Sequence, residues 1–156
     1  MSENKRKEKD VLKLLQSEYK IDIWNDNMSE FTVIFKGPDD SPYSEGIWKV
    51  LVHLPKEYPF KSPSIGFLNK IYHPNIQESS GSVCLDVINQ AWSPMYELKN
   101  VFDIFLPQLL LYPNPKDPLN VNAAKLYLND WEKYDEKVKD FVKKYGNLES
   151  VKEDGE

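Results

Sequence analysis

Residues 73–94 read HPNIQESSGSVCLDVINQAWSP, and the rest of the chain is organised around them. The stretch holds Cys84, the only cysteine in the sequence, between a Ser/Gly loop and a short apolar run. Asn75 stands nine residues upstream, between Pro74 and Ile76, and Trp92 stands eight residues downstream, followed by a Ser93-Pro94 turn. A lone cysteine is most often a small buried hydrophobe, and that reading stays open beside a second one. A thiol leaving a Ser/Gly loop can be half exposed, as reactivity requires, while Val83, Leu85, Val87 and Ile88 anchor its segment in a core. Asn75 carries an amide N–H that can meet a developing oxyanion without a change in its own charge. The pair suits acyl chemistry at sulfur.

A thiol hydrolase would also need a histidine base. The two histidines are poorly suited: His73 leads a His-Pro turn, and His53 lies in an alternating, strand-like run. A protease or thiol hydrolase therefore has weak support.

The chain has 156 residues, enough for one domain with a proper core, and its 40% hydrophobic and 29% charged content is ordinary for a soluble protein. No apolar run approaches the roughly 18 residues of a membrane span, and the start, MSENKRKEKD, lacks the apolar region of a secretory signal. A single cysteine excludes an internal disulfide framework and fits a reducing compartment. The expectation is a cytoplasmic protein with the nucleus open to it, without membrane contact. A net charge of −5 argues against a general nucleic-acid binder. Locally, Lys5, Arg6, Lys7 and Lys9 form a basic cluster, and Glu149, Glu153, Asp154 and Glu156 form an acidic tail. Both can be simple solvated surface. The division expected is a core domain over 1–148 and a short acidic tail over 149–156.

Periodicity supplies the architecture. Residues 5–19 predict an amphipathic helix carrying Val11, Leu12, Leu15 and Tyr19, with Asp10 on an exposed face. Alternation then predicts strands around Ile21 and Ile23, around Phe31, Val33 and Phe35, around Trp48, Val50, Val52 and Leu54, and over 64–67. Turns at 25–27, 37–38 and 42–46 make these an antiparallel meander. Residues 68–96 show few regular signals beyond a short turn near Cys84, and so long an irregular stretch in a compact domain points to function. A buried helix is expected over 97–111, with Leu98, Val101, Phe102, Phe105, Leu109 and Leu110 on its apolar stripe. Pro107 interrupts it, because its ring clashes with the carbonyl of Asp103. A helix over 121–128 and a last one over 131–145, capped by Asp130 and ended by Gly146, complete the chain.

The motifs HPN, then GSVCLD, then WSP, resemble the active-site signature of ubiquitin-conjugating enzymes. GPDDSPYSEGIW, LPKEYPFKSPSIGF and YPNPKDPLNVNAA are similar, in order, to the other sequence blocks of that family, and together they cover most of residues 5–145. The resemblance implies an α/β (α+β) fold: an N-terminal helix, a four-stranded antiparallel sheet, a central helix and two C-terminal helices. It implies a cis bond at Tyr58-Pro59. It also implies one extra residue in the central helix, which is expected to form a bulge near residues 103–107.

For function, the resemblance implies that Cys84 receives ubiquitin as a thioester from an activating enzyme and passes it to a lysine amine with a RING-type ligase. The chemistry agrees. A carrier needs a nucleophilic sulfur but must not hydrolyse its cargo, so a strong adjacent base would do harm; a thiol left alone is already a capable nucleophile. Asn75 would stabilise the tetrahedral intermediate or brace the loop that holds Cys84. Asp117, in NPKDP, would align and desolvate the incoming lysine, or merely stabilise a turn between two prolines. Asp86, Asn114 and Leu119 would form the rim. Phe60 and the Ser93-Pro94-Met95 turn match loops that engage RING-type ligases, and Lys5 and Lys9 would dock the activating enzyme. No cofactor or metal is implied, since the activating enzyme consumes the ATP. PSIGFLNKIYHPNI, CLDVINQ and FLPQLLLYPNP resemble most the histone-directed branch that works with the GID/CTLH ligase, which would make histone a substrate of a monomeric enzyme. The alternative from another class is a non-catalytic ubiquitin-binding variant, which the presence of Cys84 with Asn75 opposes.

Overall fold

The computed structural model describes residues 2–24 and 28–151, with side chains from residue 5 onward. The order of elements is α1 (Ser2–Leu15), β1 (Ile21–Ile23), β2 (Glu30–Lys36), β3 (Ile47–His53), β4 (Ser64–Phe67) and α2 (Leu85–Ala91). The central helix α3, residues 98–111, is followed by α4 (Val121–Asn129), α5 (Trp131–Tyr145) and a 3-10 turn, Leu148–Ser150. The strands form one antiparallel sheet in the order β1-β2-β3-β4. Register pairs Val33 with Val50, Phe31 with Val52, and Val50 with Phe67. Alternation therefore puts Phe31, Val33, Phe35, Trp48, Val50, Val52, Ile65 and Phe67 into the core. The expected turn at residues 25–27 and most of the acidic tail lie outside the described residues.

The N-terminal helix departs from expectation. It ends at Leu15 rather than running to Tyr19, and Tyr19 reaches the core by stacking on Phe102, 5.6 Å between ring centroids. Its buried face is Asp10, Val11 and Leu14, while Leu12 and Leu15 face water. Asp10, expected to be exposed, is only 1% accessible. The carboxylate is kept there by Arg6, whose Nε donates to Oδ2 at 2.9 Å, and by the Tyr58 hydroxyl, which donates to the same oxygen. A buried charge is tolerated when it is paired and hydrogen-bonded.

The central helix contains the bulge that Pro107 and the extra residue require. An α turn, Leu98–Asn100, leads into a π turn, Val101–Phe105, and an α segment, Leu106–Leu111. The Leu106 N–H reaches back to the Val101 carbonyl, five residues away. Pro107 then falls in the first two positions of the next α segment, where a missing N–H costs least. Lys99 and Tyr19 both hold Asp103, at 2.8 and 2.6 Å, on the outside of the widened turn.

Asp130 and Gly146 bound α5 as expected: the Asp130 carboxylate accepts from the Lys133 N–H. Gly146 is required by crowding, since a Cβ there would lie 2.7 Å from the Val142 carbonyl oxygen. The Tyr58-Pro59 bond is cis. No helix among the described residues is long and apolar enough to cross a membrane.

Candidate active site

Three segments are tied together through Asn75, whose carbonyl holds the Cys84 N–H and whose carboxamide holds the loop after Pro113. The first is HPN. His73 is fully buried, its Nδ1 accepts the Asn75 N–H at 3.0 Å, and its Nε2–H donates to the Leu109 carbonyl at 2.8 Å. Burial lowers its pKa to about 4, so the ring is neutral and its two nitrogens are both engaged. His73 is a strut. His53 lies at the end of β3, its Nδ1 3.4 Å from Glu30 on the neighbouring strand. Neither imidazole serves the sulfur as a base.

The second segment carries the cysteine. The loop 77–82 turns back on itself at Gly81, whose φ of +78° suits glycine and whose missing Cβ leaves room for the Phe67 carbonyl, 1.9 Å from where that Cβ would stand. Val83 then pairs with Ile76 in an isolated bridge and donates its N–H to Ile65 on β4. Cys84 donates its N–H to the Asn75 carbonyl at 2.9 Å, and its own carbonyl starts α2 by accepting from Ile88. As N-cap of α2 it makes no side-chain capping bond, which leaves the sulfur uncommitted there. Cys84 is buried, 9% accessible and packed at the border of the core rather than half exposed as its Ser/Gly loop suggested, because Val83, Val87 and Ile88 around it are drawn into that core; Leu85 and Asp86 beside it are exposed. Where the sequence suggested only a short turn, LDVINQA forms two turns of helix, with Val87 and Ile88 buried beneath.

The third segment, residues 113–120, is clasped by Asn75. Its carboxamide donates from Nδ2 to the Asn114 carbonyl at 2.6 Å and to the Asp117 carbonyl at 3.4 Å, and its Oδ1 accepts the Asn114 N–H at 2.8 Å. Leu119 and Asn120 donate their N–H groups to the Pro74 carbonyl, and the Asn114 side chain closes a turn on Lys116 N–H. Held this way, Asp117 and Leu119 are both exposed. The side chain of Asn75 is completely buried, and its donors are aimed at backbone carbonyls.

The structure also joins residues that the sequence left apart. Asn120 caps α4 by accepting the Ala123 N–H, and its Nδ2 reaches the Glu78 carboxylate at 3.4 Å, tying the loop before Cys84 to the loop after Asp117. The capping position before VNAA is a readable sequence signal; the link to Glu78 is not.

A second surface lies at the other end of α2. Phe60 is 71% and Met95 89% accessible, and Pro94 is exposed beside it. Ser93 shapes this turn by accepting the Met95 N–H on its hydroxyl. Trp92 fastens the two loops together, donating from Nε1 to the Pro59 carbonyl at 2.8 Å and stacking on Tyr58. Arg6 extends from α1 to the Tyr96 carbonyl at 2.6 Å. Lys5 and Lys9 are exposed on α1, one turn apart. Among the described residues no group of three or more metal-ligating side chains stands together.

Comparison with known proteins agrees with this geometry. Residues 3–142 match the family model described as ubiquitin-conjugating enzyme. The chain is 59% identical over 150 residues to the ubiquitin-conjugating enzyme E2-23 kDa of Triticum aestivum, covering 96% of this chain and 82% of that one. It is 58% identical to ubiquitin-conjugating enzyme E2 6 of Arabidopsis thaliana, over 98% of this chain and 84% of that protein. It is 53% identical to the E2-24 kDa enzyme of Saccharomyces cerevisiae, over 98% and 71%. Among solved structures, the E2 domain of a Toxoplasma gondii ubiquitin-conjugating enzyme superposes with a TM-score of 0.81 at 25% identity, covering 93% of this chain and 99% of that one.

Proposed function

The chain belongs to the ubiquitin-conjugating enzymes, and from that premise we propose how its own residues carry the reaction. Enzymes of this family take ubiquitin as a thioester and hand it on. The Cys84 thiolate attacks the acyl carbon presented by the activating enzyme, the carbon–sulfur bond to that enzyme breaks, and ubiquitin is left on Cys84. A neutral lysine amine of the substrate then attacks the same carbon, a C–N bond forms, the carbon–sulfur bond breaks with departure of the Cys84 thiolate, and the proton lost from nitrogen passes to solvent or to the thiolate.

The observation that carries this reading is that Asn75 ties Cys84 to the 113–120 loop, its carbonyl on the Cys84 N–H and its carboxamide on Asn114, while both imidazoles are engaged elsewhere. Such a site suits a carrier, because a placed base would recruit water to the thioester. Asp117, exposed on the clasped loop, aligns and desolvates the incoming amine, with Asp86, Asn114 and Leu119 forming the rim. Asn75 acts chiefly by holding the 113–120 loop, the use its side chain has in this fold. Phe60, Ser93, Pro94 and Met95 form the docking face for a RING-type ligase, an exposed apolar pair of the kind that anchors interfaces. Lys5 and Lys9 dock the activating enzyme.

The motifs PSIGFLNKIYHPNI and FLPQLLLYPNP, together with the extra residue in α3, support a GID/CTLH-type ligase as partner and histone among the substrates. The protein acts as a monomer in the cytoplasm and nucleus, without a cofactor of its own, and ATP is used by the activating enzyme. The test is incubation with activating enzyme, ATP and ubiquitin. The expected result is an adduct that a thiol reductant removes and that Cys84→Ala lacks; no adduct from the wild-type chain would leave a ubiquitin-binding module instead.

A further inference from the structure

A cavity of about 150 Å³ opens between the 40–42 turn, the end of α3 and the start of α5, and of its lining residues only Pro113, at the edge of the 113–120 loop, belongs to a segment of the site described above. Tyr127, Trp131 and Tyr134 line one part of it. Tyr127 and Tyr134 meet edge to face, 5.2 Å between centroids. Tyr134 is fixed by its hydroxyl contact with Tyr43, 3.0 Å, and Tyr43 in turn donates to the Tyr72 carbonyl. Trp131 is different: at the first position of α5 it is 64% accessible, a large ring left to water beside an opening in the surface.

The charged side chains that line this cavity have one sign. Asp40 and Asp135 line it, and no Lys, Arg or His does. The Asp40 carboxylate is exposed and makes no ion pair or hydrogen bond among the described residues. Asp135 is paired at 3.0 Å with Lys139 through Oδ2 alone, and that pair is exposed on the Lys139 side, where such contacts hold weakly. Leu110 and Leu111, the last residues of α3, also contribute to the lining, and the carbonyl end of a helix carries partial negative charge. The remaining wall comes from Pro42, Pro113 and Ser41, whose hydroxyl is spent on the Pro38 carbonyl.

Aromatic rings, an unpaired carboxylate and a helix C-terminus each favour a cation and together disfavour an anion. The volume is well below the roughly 300–1,000 Å³ of pockets for drug-sized ligands and matches a single side-chain head group. A bare ammonium would have to shed tightly held water against the proline wall, whereas an alkylated one would not. We propose that this cavity binds the ammonium head of a lysine side chain, best in its methylated form, presented by a basic segment of a partner protein. The recognition is cation–π contact with Trp131 and Tyr127, completed by Asp40 at the rim. It does not depend on the roles proposed for Cys84, Asn75 or Asp117.

The test uses the full chain and a pair of isosteric probes, choline and its neutral analogue 3,3-dimethylbutan-1-ol, in matched salt, with the Trp131 indole N–H resonance as readout. Choline should shift that resonance saturably and bind about three- to thirtyfold more tightly than the alcohol, the range expected of cation–π contacts. Asp40→Asn should narrow the difference between the two probes. Trp131→Ala, at an exposed position with the melting temperature as a control for folding, should abolish choline binding followed on neighbouring resonances; Trp131→Phe should retain part of it. Equal binding of the two probes would mean an apolar crevice only. That result, an unmoved Trp131 resonance, or undiminished choline binding by Trp131→Ala would overturn the proposal. Success or failure of thioester formation has no bearing on this result.

Discussion

Asn75 and Asn114 are joined by two opposed hydrogen bonds, the Asn75 carboxamide donating to the Asn114 carbonyl at 2.6 Å and accepting its N–H at 2.8 Å. The side chain therefore imitates a strand partner for one residue of the loop that carries Asp117. Asn75→Ala leaves both backbone groups without their partner, at a cost of roughly 1–3 kcal/mol. The expected outcome is a lower denaturation midpoint together with slower discharge of ubiquitin to lysine, while charging of Cys84 is affected less. Slower discharge with undiminished stability would instead place the amide at the reacting atoms.

Asp117 is positioned by its backbone and leaves its carboxylate in solvent. Asp117→Ala should fold and charge like the wild type, and should slow discharge to free lysine by roughly tenfold, a modest share of what orientation can contribute. Single-turnover measurement of the two steps separates them, and equal losses in both would contradict an acceptor-aligning role.

Arg6, Asp10 and Tyr58 connect α1 to the cis-proline turn across the core boundary. Removing a partner from a buried charge is costly, so Arg6→Ala should destabilise the fold by about 3 kcal/mol. Tyr58→Phe, which deletes one donor, should cost roughly 1–3 kcal/mol. Burial raises the Tyr58 pKa, and the bond to Asp10 raises it further, so this tyrosine should stay protonated when exposed ones titrate. Urea unfolding measures the first two effects, and alkaline absorbance titration the third.

His73 sets an acid limit. Its folded pKa is about 4, below the ordinary 6.5, because burial disfavours the imidazolium. Between those values the unfolded chain binds the extra proton, so stability rises with pH across that window and is lost as pH falls from 6.5 toward 4. The contribution amounts to a few kcal/mol. Comparing urea midpoints at pH 7 and pH 5 for the wild type and His73→Gln should show a smaller drop in the variant, from whatever stability the variant starts with.

The parts of the fold that were legible are those with local signals. Phe31, Val33 and Phe35 against Trp48, Val50 and Val52 repeat every second residue, and Asp130 and Gly146 mark both ends of the last helix. Pro107 inside an apolar helical pattern marks a break in the central helix, and the extra residue that the family resemblance implies points to the widened turn there. The missed features depend on long-range partners. Asp10 looked like a solvated face because the tyrosine that buries it lies 48 residues away. Leu12 and Leu15 read as part of the apolar stripe from spacing alone, because the Asp10–Val11–Leu14 face shows only once that pairing is known. α2 was missed because seven residues after a Ser/Gly loop are too few to show a period. The motifs pointed to Cys84, Asn75 and Asp117, but the way Asn75 is used follows from a loop 39 residues downstream.

The account rests on a thioester at Cys84, and Cys84→Ser tests it most directly. Incubated with activating enzyme, ATP and ubiquitin, the wild-type chain should form an adduct that a thiol reductant cleaves, and the serine variant one that resists the reductant but yields to hydroxide, as an oxyester does. A reductant-resistant adduct on the wild type, or a reductant-sensitive one surviving in the serine variant, would contradict it.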